Sequence, residues 1–520
     1  MTRGRGRAGV RDVAVVGLVK AAAAVIVLAW GFSAVSDDDY ARVVIAEDFA
    51  RAPKLDPSGT SWLPLPFWIT GLAMMVFGRS LEVARGVSIG LGILSALLVF
   101  VAARWITEDR RASLAGAVAA AIFPWSARLG VATVPELPAA SLALLGAAAL
   151  VPPAPTGWPA LSLERDERSL PPPGRMLIGG AALVGSTLSR YDAWPIAAAF
   201  SIAALYFAAR GLVAQPAVDR ARATLLRVLA AALALAGPLA WIAWNHHAHG
   251  SALHFLERVA AYRRALGGSG EGGALHALFA YPEAFVRHEP ELVGIAVLIA
   301  VLCVISPRLR PPYLAARLRR YARPALLLLG QIALLSAAMV RDGAPTHHPE
   351  RALLSAMLLL AIAAGDFGSH VALLAPRRAR PLLALLIAAW LLPAALHFYP
   401  WLRLEDFANR NDEVAAGRAA RSIVAPGERV LLEVTDYGYF AVIAAFARPE
   451  DIELDRSVDP RGGPSTSSFA DLDRLRARVS SSGAVHLIAR ATPGAAVFEL
   501  ARPEAVFGGW ALFRVKDTER

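Results

Sequence analysis

Residues 13–42 read VAVVGLVKAAAAVIVLAWGFSAVSDDDYAR, and this stretch decides what kind of fold the chain adopts. Residues 13–35 form an apolar run of 23 residues, broken only by Lys20. A helix needs about 20 such residues to cross the hydrocarbon core of a bilayer. Arg3, Arg5, Arg7 and Arg11 precede the run, and no small-residue cleavage site follows it. It therefore reads as an uncleaved first span rather than a signal peptide. The run stops abruptly at Ser36-Asp37-Asp38-Asp39-Tyr40-Ala41-Arg42. Three adjacent carboxylates repel one another unless something neutralises or uses them. One reading is a solvated acidic cap that ends a hydrophobic segment. The other is a carboxylate held at the membrane surface as a general base or metal ligand. Context favours the second, because the loop continues through a Pro/Gly segment (52–61) into another apolar stretch, 62–78.

The composition extends the membrane reading to the whole chain. Of 520 residues, 56% are hydrophobic and only 18% charged, against about 25% charged in soluble domains. The net charge of +11 is nearly all arginine, in short clusters between apolar segments. That is a topology pattern and not a nucleic-acid-binding surface. The single cysteine, Cys303, excludes an intrachain disulfide framework and a cysteine metal site.

Eleven spans are expected: 13–35, 81–103, 112–130, 135–151, 176–190, 193–209, 225–245, 290–306, 324–340, 351–366 and 381–399. This assignment places 23 arginines in the inner segments against 11 lysines plus arginines in the outer ones. Making 62–78 a span, or 176–209 a single span, would put the arginine-rich segment 306–323 outside. Residues 62–78 then read as an interfacial helix along the outer surface, with Pro64 and Pro66 near its start. The N-terminus is expected on the cytoplasmic side. The chain thus divides into a membrane domain, 1–404, with a long first outer loop, 36–80, and a soluble domain, 405–520, on the outer face. In the latter, β-branched runs at 429–434, 484–489 and 511–515 alternate with helical patterns near 440–446 and 469–479, the sign of a small α/β domain. No catalytic motif is evident there. The glycine-rich stretch 267–273 lacks the strand and helix of a phosphate-cradling loop and reads as a hinge.

Further polar groups fall at the same face. Glu136 sits in an apolar hairpin between the third and fourth spans. Buried charge of this kind often faces a cavity, the alternative being a carboxylate hydrated by headgroups. Arg190, Tyr191, Asp192 and Trp194 form a tight outer turn in which Arg190 can pair with Asp192, the aromatics serving as interface anchors. His347, His348, Glu350 and Arg351 open the tenth span, where an arginine can hold a phosphate by a bidentate contact. His246, His247, His249 and His254 follow the seventh span and suit a bilayer interface better than a metal. Lys20, inside the first span, is expected to snorkel.

These elements together resemble the GT-C superfamily of lipid-phosphate-sugar glycosyltransferases, which includes protein O-mannosyltransferases and bacterial aminoarabinose transferases. The resemblance rests on the acidic motif Asp37–Arg42 in a long first loop and on Trp62-Leu63-Pro64-Leu65-Pro66 before an interfacial helix. Gly78 with Ala84-Arg85, the Glu136 hairpin, the Arg190–Trp194 turn and the terminal soluble domain also match, over most of residues 12–400. Three aspartates instead of the usual acidic pair leave the register open. Asp38 or Asp39 is favoured, with Asp37 a further candidate. The resemblance implies inverting transfer of a sugar from a polyprenyl-phosphate donor, at a bacterial plasma membrane. An aspartate of the loop would be the base, with Glu136 assisting, and Arg351, Arg190 and Arg42 would receive the donor phosphate. His348, Asp192 and Tyr191 are the remaining site candidates. Some members of the superfamily use a divalent cation, Mg or Mn, and others do not. The competing reading is a multi-span transporter or lipid flippase, but no internal repeat and no midplane ionisable cluster supports it.

Overall fold

The computed structural model describes residues 2–153, 170–214, 217–265, 274–311, 313–340, 349–374, 381, 409–462, 465–492 and 495–516. The expected final span, 381–399, apart from its first residue, and the glycine-rich stretch 267–273 lie outside the described residues. The chain is a polytopic α-helical membrane protein with a small C-terminal sheet. Among the described residues, six helices are long and apolar enough to cross a membrane, or seven if the bent pair Leu278–His288 and Pro290–Ile305 is one span.

The six long apolar segments are Gly9–Ala29, Leu81–Thr107, Tyr191–Val213, Arg220–His249, Leu314–Val340 and Leu354–Leu374. We number the helices in chain order. α1 is Thr2–Ala29, α2 Asp38–Arg51, α3 Leu65–Phe77, α4 Leu81–Thr107, α5 Arg110–Ile122, α6 Pro124–Leu129, α7 Glu136–Ala148 and α8 Pro173–Thr187. α9 is Trp194–Ala214, α10 Ala217–His249, α11 His254–Ala265, α12 Ala274–His288, α13 Pro290–Ile305 and α14 Leu314–Val340. α15 is Pro349–Ala352 and α16 Leu354–Leu374.

Ten of the eleven expected spans fall on the described residues, and they are not equivalent helices. α7 and α8 have 13 and 15 residues, about 20 Å at 1.5 Å per residue, short of a hydrocarbon core about 30 Å thick. The expected span 112–130 is broken into α5 and α6 at Phe123-Pro124. Phe123 is extended, as the residue before a proline must be. Lys20 explains how the break is tolerated. It does not snorkel. It is 1% exposed, and its ammonium donates to the carbonyls of Ser126 (2.6 Å) and Ala121 (3.3 Å) and to the Ser126 hydroxyl (3.1 Å). The kink frees backbone oxygens that apolar surroundings cannot satisfy, and the lysine satisfies them.

Residues 176–209 form two helices, α8 and α9, joined by a turn at Leu188–Ala193. Residues 62–78 contain the single short helix α3. Its Phe67 and Met74 are buried while Ile69, Leu72, Met75, Val76 and Phe77 are exposed, the two-faced pattern of an interfacial helix. α2 and α3 approach so closely that a Cβ on Gly71 would lie 2.4 Å from the ring of Phe49.

The C-terminal unit contains α17 (Asn411–Ile423), α18 (Tyr439–Phe446), α19 (Leu472–Ser482) and α20 (Val497–Leu500). Its strands are β1 (Val430–Leu432), β2 (Ile452–Leu454), β3 (His486–Arg490), β4 (Ala501–Phe507) and β5 (Trp510–Val515), in the order β2-β1-β3-β5-β4. β1 pairs in parallel with β2 and β3, and β5 runs antiparallel to β3 and β4. The parallel strands are linked through α18 and α19, as β–α–β crossovers require. The sheet shares its core with the first loop. Tyr40, Val43 and Ala46 of α2 pack with Val442, Phe446 and Leu432. Arg79 adds a bidentate pair with Glu450, both contacts 2.8 Å.

Candidate active site

α2 begins at the aspartate triplet, where the partial positive charge of a helix N-terminus favours acidic side chains. The three carboxylates point to three different destinations. Asp39 turns into the protein and is 1% exposed. It accepts from the backbone N–H groups of Val35 (3.0 Å) and Thr133 (2.8 Å) and from the Thr133 hydroxyl (3.1 Å). Burial pushes its pKa up. It fastens the end of the first span to the segment before α7 and does not line the cavity described below. Asp37 is taken up by Arg410, with Nε–Oδ1 at 2.8 Å and Nη2–Oδ2 at 2.9 Å. Asp38 alone is left with a largely free carboxylate, 41% exposed and 3.3 Å from Arg351 Nη1.

These groups border a cavity of about 1000 Å³. Its floor is assembled from segments far apart in sequence. Glu136 opens α7 and is 1% exposed. Its Oε1 lies 2.5 Å from Arg190 Nη1 and 3.7 Å from Arg351 Nη1. Arg190, in the α8–α9 turn, also donates from Nε to both oxygens of Asp192 at 3.1 Å. Burial opposes the charge of Arg190, but Asp192 and Glu136 hold its pKa above the ordinary value, so it stays cationic. Arg351, on α15, donates from Nη2 to the Ser36 hydroxyl at 2.9 Å. Arg42 stacks over Trp62 at 4.5 Å. The Arg42 and Arg351 Nε groups and Glu136 Oε2 are buried without a hydrogen-bond partner among the described residues. Arg42, Arg190 and Arg351 thus line one cavity, an arrangement suited to a phosphate.

The structure therefore brings together Asp37, Asp38, Arg42, Glu136, Arg190, Tyr191, Asp192 and Arg351. Tyr191 proves to be an aromatic wall rather than a membrane anchor. It stacks on Phe255 with ring centroids 4.7 Å apart and accepts from Trp241 Nε1 at 2.8 Å. His348 lies outside the described residues. The histidines that follow the seventh span do not line the cavity. His249 and His254 stack on each other, with centroids 4.2 Å apart.

The upper wall was not foreseen. Arg258 and Tyr262 of α11 line it, together with Tyr437, Tyr439, Asp459 and Arg461 of the C-terminal unit. Tyr262 and Tyr437 hydroxyls meet at 3.2 Å, and Arg461 lies over the Tyr262 ring at 6.0 Å. Arg461 holds the pKa of Asp459 down to about 2. The spacing Tyr437-x-Tyr439 with Asp459-x-Arg461 was the available signal, but neither has a fixed catalytic meaning.

A divalent cation fits this cavity poorly. Among the described residues no group of three His, Cys, Asp or Glu side chains is placed to hold a metal ion. The carboxylates Asp37, Glu136 and Asp192 each already pair with an arginine, whose charge would repel a second cation, and Asp38 has Arg351 3.3 Å away.

A helical membrane bundle with an α/β unit roofing a charged cavity defines the architectural class. Two solved proteins share this fold. ArnT from Cupriavidus metallidurans, in a crystal structure bound to undecaprenyl phosphate, superposes with a TM-score of 0.58 at 14% identity, covering 100% of this chain and 99% of that one. Its apo state gives 0.58 at 15% identity, with the same coverage. The apo oligosaccharyltransferase of Archaeoglobus fulgidus gives 0.52 at 14% identity, covering 92% of this chain and 69% of that one. No protein-family model and no curated protein matches the sequence.

Proposed function

We propose that this protein transfers a sugar from a polyprenyl-phosphate donor to an acceptor on the outer face of a bacterial plasma membrane. The observation that carries the reading is the convergence of Asp38, Glu136, Arg190 and Arg351, from four separate segments, on one cavity beside the interfacial helix α3. The fold shared with ArnT, whose structure holds undecaprenyl phosphate, supports a donor of that class. The prenyl chain would lie along the exposed apolar residues of α3, Ile69, Leu72, Val76 and Phe77.

The residues divide the work as the chemistry demands. The acceptor's oxygen or nitrogen attacks the anomeric carbon as the bond from that carbon to the phosphate oxygen breaks. The phosphate leaves with the electron pair and needs no strong acid. Arg351, Arg190 and Arg42 receive its charge. Asp38 takes the acceptor's proton. A single displacement inverts the anomeric centre. The Asp38–Arg351 contact, at 3.3 Å, is long for a charge-assisted hydrogen bond. Phosphate bound at Arg351 would replace it and release Asp38 as a base only when the donor is in place. Glu136, held between Arg190 and Arg351, keeps both cations aimed at the phosphate. The C-terminal unit, 405–520 by the boundary read from sequence, would close the site from the outer side.

Reconstituted protein given a radiolabelled polyprenyl-phosphate sugar and envelope extract as acceptor tests this directly. Label should pass to the acceptor and not in an Asp38→Asn variant. Label crossing the bilayer while still attached to its lipid would favour the flippase instead.

A further inference from the structure

We infer that Arg410, on the C-terminal unit, is a positioning residue for this reaction: through Asp37 it fixes the carboxylate of Asp38 in the cavity. The inference rests on the sugar-transfer reading above. Asp37 and Asp38 are consecutive at the N-terminus of α2, so whatever anchors the first orients the second. Arg410 grips Asp37 with both fork positions, at 2.8 and 2.9 Å. Its remaining nitrogen, Nη1, reaches Asp436 at 3.1 Å and Glu413 at 3.5 Å. The guanidinium is thus locked at both ends, one in the first loop and the other in the sheet unit, and its side chain is only 9% exposed.

The surroundings are shaped around this group. A Cβ on Gly438 would lie 2.5 Å from Arg410 Nη1. Gly438 has φ −61° and ψ −17°, which any residue can adopt, so the glycine is there for space and not for backbone freedom. The next residues along, Tyr437 and Tyr439, line the cavity. A single ion pair therefore ties the cavity's upper wall to its reactive carboxylate. It also gives Asp37 a role other than that of base.

Kinetics with purified, reconstituted full-length protein decide the matter. Arg410→Gln should lower kcat roughly tenfold to a hundredfold, the scale of a misplacement of about 1 Å, with KM for the prenyl-phosphate donor unchanged. Asp37→Asn should do the same, and the double variant should be no worse than either single one, because both remove one interaction. Gly438→Ala, which displaces the guanidinium without removing its charge, should reproduce the kcat loss and decides the question if Arg410→Gln does not fold. Wild-type kcat in Arg410→Gln or Gly438→Ala, multiplicative losses in the double variant, or a loss confined to KM would each overturn the proposal. An Asp38→Asn control separates the two readings. If that variant transfers sugar normally, the assignment of the base is wrong. If it is inactive while Arg410→Gln is normal, only the role of Arg410 fails.

Discussion

Two buried charge clusters lie near opposite ends of α16, and they are built on different plans. Arg351, just before the helix, and Asp366, near its far end, are separated by about 22 Å at 1.5 Å per residue. At the far end Arg317 of α14 meets Asp366 at 2.5 Å, Tyr321 donates to the same carboxylate at 3.0 Å, and His370 lies within 3.4 Å of it. One carboxylate thus gathers two contacts from the neighbouring helix α14 and one from its own helix, and the result is a clamp. At the cavity end Arg351 spreads its contacts over Asp38 at 3.3 Å, Glu136 at 3.7 Å and Glu350 at 3.9 Å. Its own Nε remains without a hydrogen-bond partner among the described residues. Loose sharing among several segments beside a large cavity leaves the cation ready for an incoming anion. Arg317 likewise keeps an Nε without a hydrogen-bond partner among the described residues, so contact length and the neighbouring cavity, not an idle donor, separate the two ends. Similar residues serve packing in one place and, under the proposed function, binding in the other, and contact geometry distinguishes them.

The largest expected effect breaks the cavity cluster at its base. Asp38→Asn keeps shape and hydrogen bonding but cannot accept a proton, and should lower the transfer rate by roughly 10²–10⁴-fold, the usual worth of a general base. Membrane insertion should be intact, as judged by extraction and chromatographic behaviour. If Asp38→Asn is fully active and Asp39→Asn is not, the two aspartates have been assigned the wrong way round. Arg351→Gln comes next. Loss of a preorganised cation facing the leaving phosphate should cost about 10²–10³ in kcat, measured with the same labelled donor. An unchanged rate would place the phosphate on Arg190 and Arg42 instead.

Much of this site could be read from the sequence because lipid sharpens contrast. Asp37–Asp39, Glu136, Arg190 and Arg351 stand out against apolar flanks, and loop charge alone put them at one end of the bundle. What could not be read is the division of labour within the triplet. It depends on Thr133 and Arg410, which lie in other segments and carry no local signature, and on the backbone N–H of Val35 just before the triplet. The fate of Lys20 was equally hidden, since the broken helix it caps is 101 residues or more away. The upper wall was missed for the opposite reason. Arg258, Tyr262, Tyr437 and Arg461 belong to polar segments where a charged or aromatic residue is ordinary, so nothing set them apart. Helix positions were legible almost throughout. The number of full spans was not, because α7 and α8 are apolar for lack of contact with water rather than for length.

The clamp at the far end of α16 tests the comparison from the other side. Removing one member of a buried pair strands the other, typically at a cost of about 3–5 kcal/mol. Asp366→Asn should therefore lower the thermal unfolding midpoint in detergent while leaving kcat per folded molecule near wild type. If transfer fell and stability did not, that cluster would be part of the reaction and the contrast between the two ends would collapse.

The smallest expected effect concerns metal. An enzyme that relies on a divalent cation to neutralise a leaving phosphate has carboxylates free to hold it. Here Asp38, Glu136 and Asp192 each face an arginine within 3.3 Å or less, and Arg42, Arg190 and Arg351 already supply positive charge around the same space. Adding a dication would set it against three guanidinium groups. Removing divalent ions with a chelator from the reconstituted protein should consequently leave the transfer rate unchanged, and added Mg or Mn should not raise it. The decisive comparison is Arg351→Gln under both conditions. If metal restores that variant while leaving the wild type unaffected, cation and arginine are interchangeable at the phosphate, and the arginines do the work a metal does elsewhere. If the wild type itself loses activity on chelation, one of these carboxylates must leave its arginine to bind metal, and the loose pairing at Arg351 would be the place to look for it.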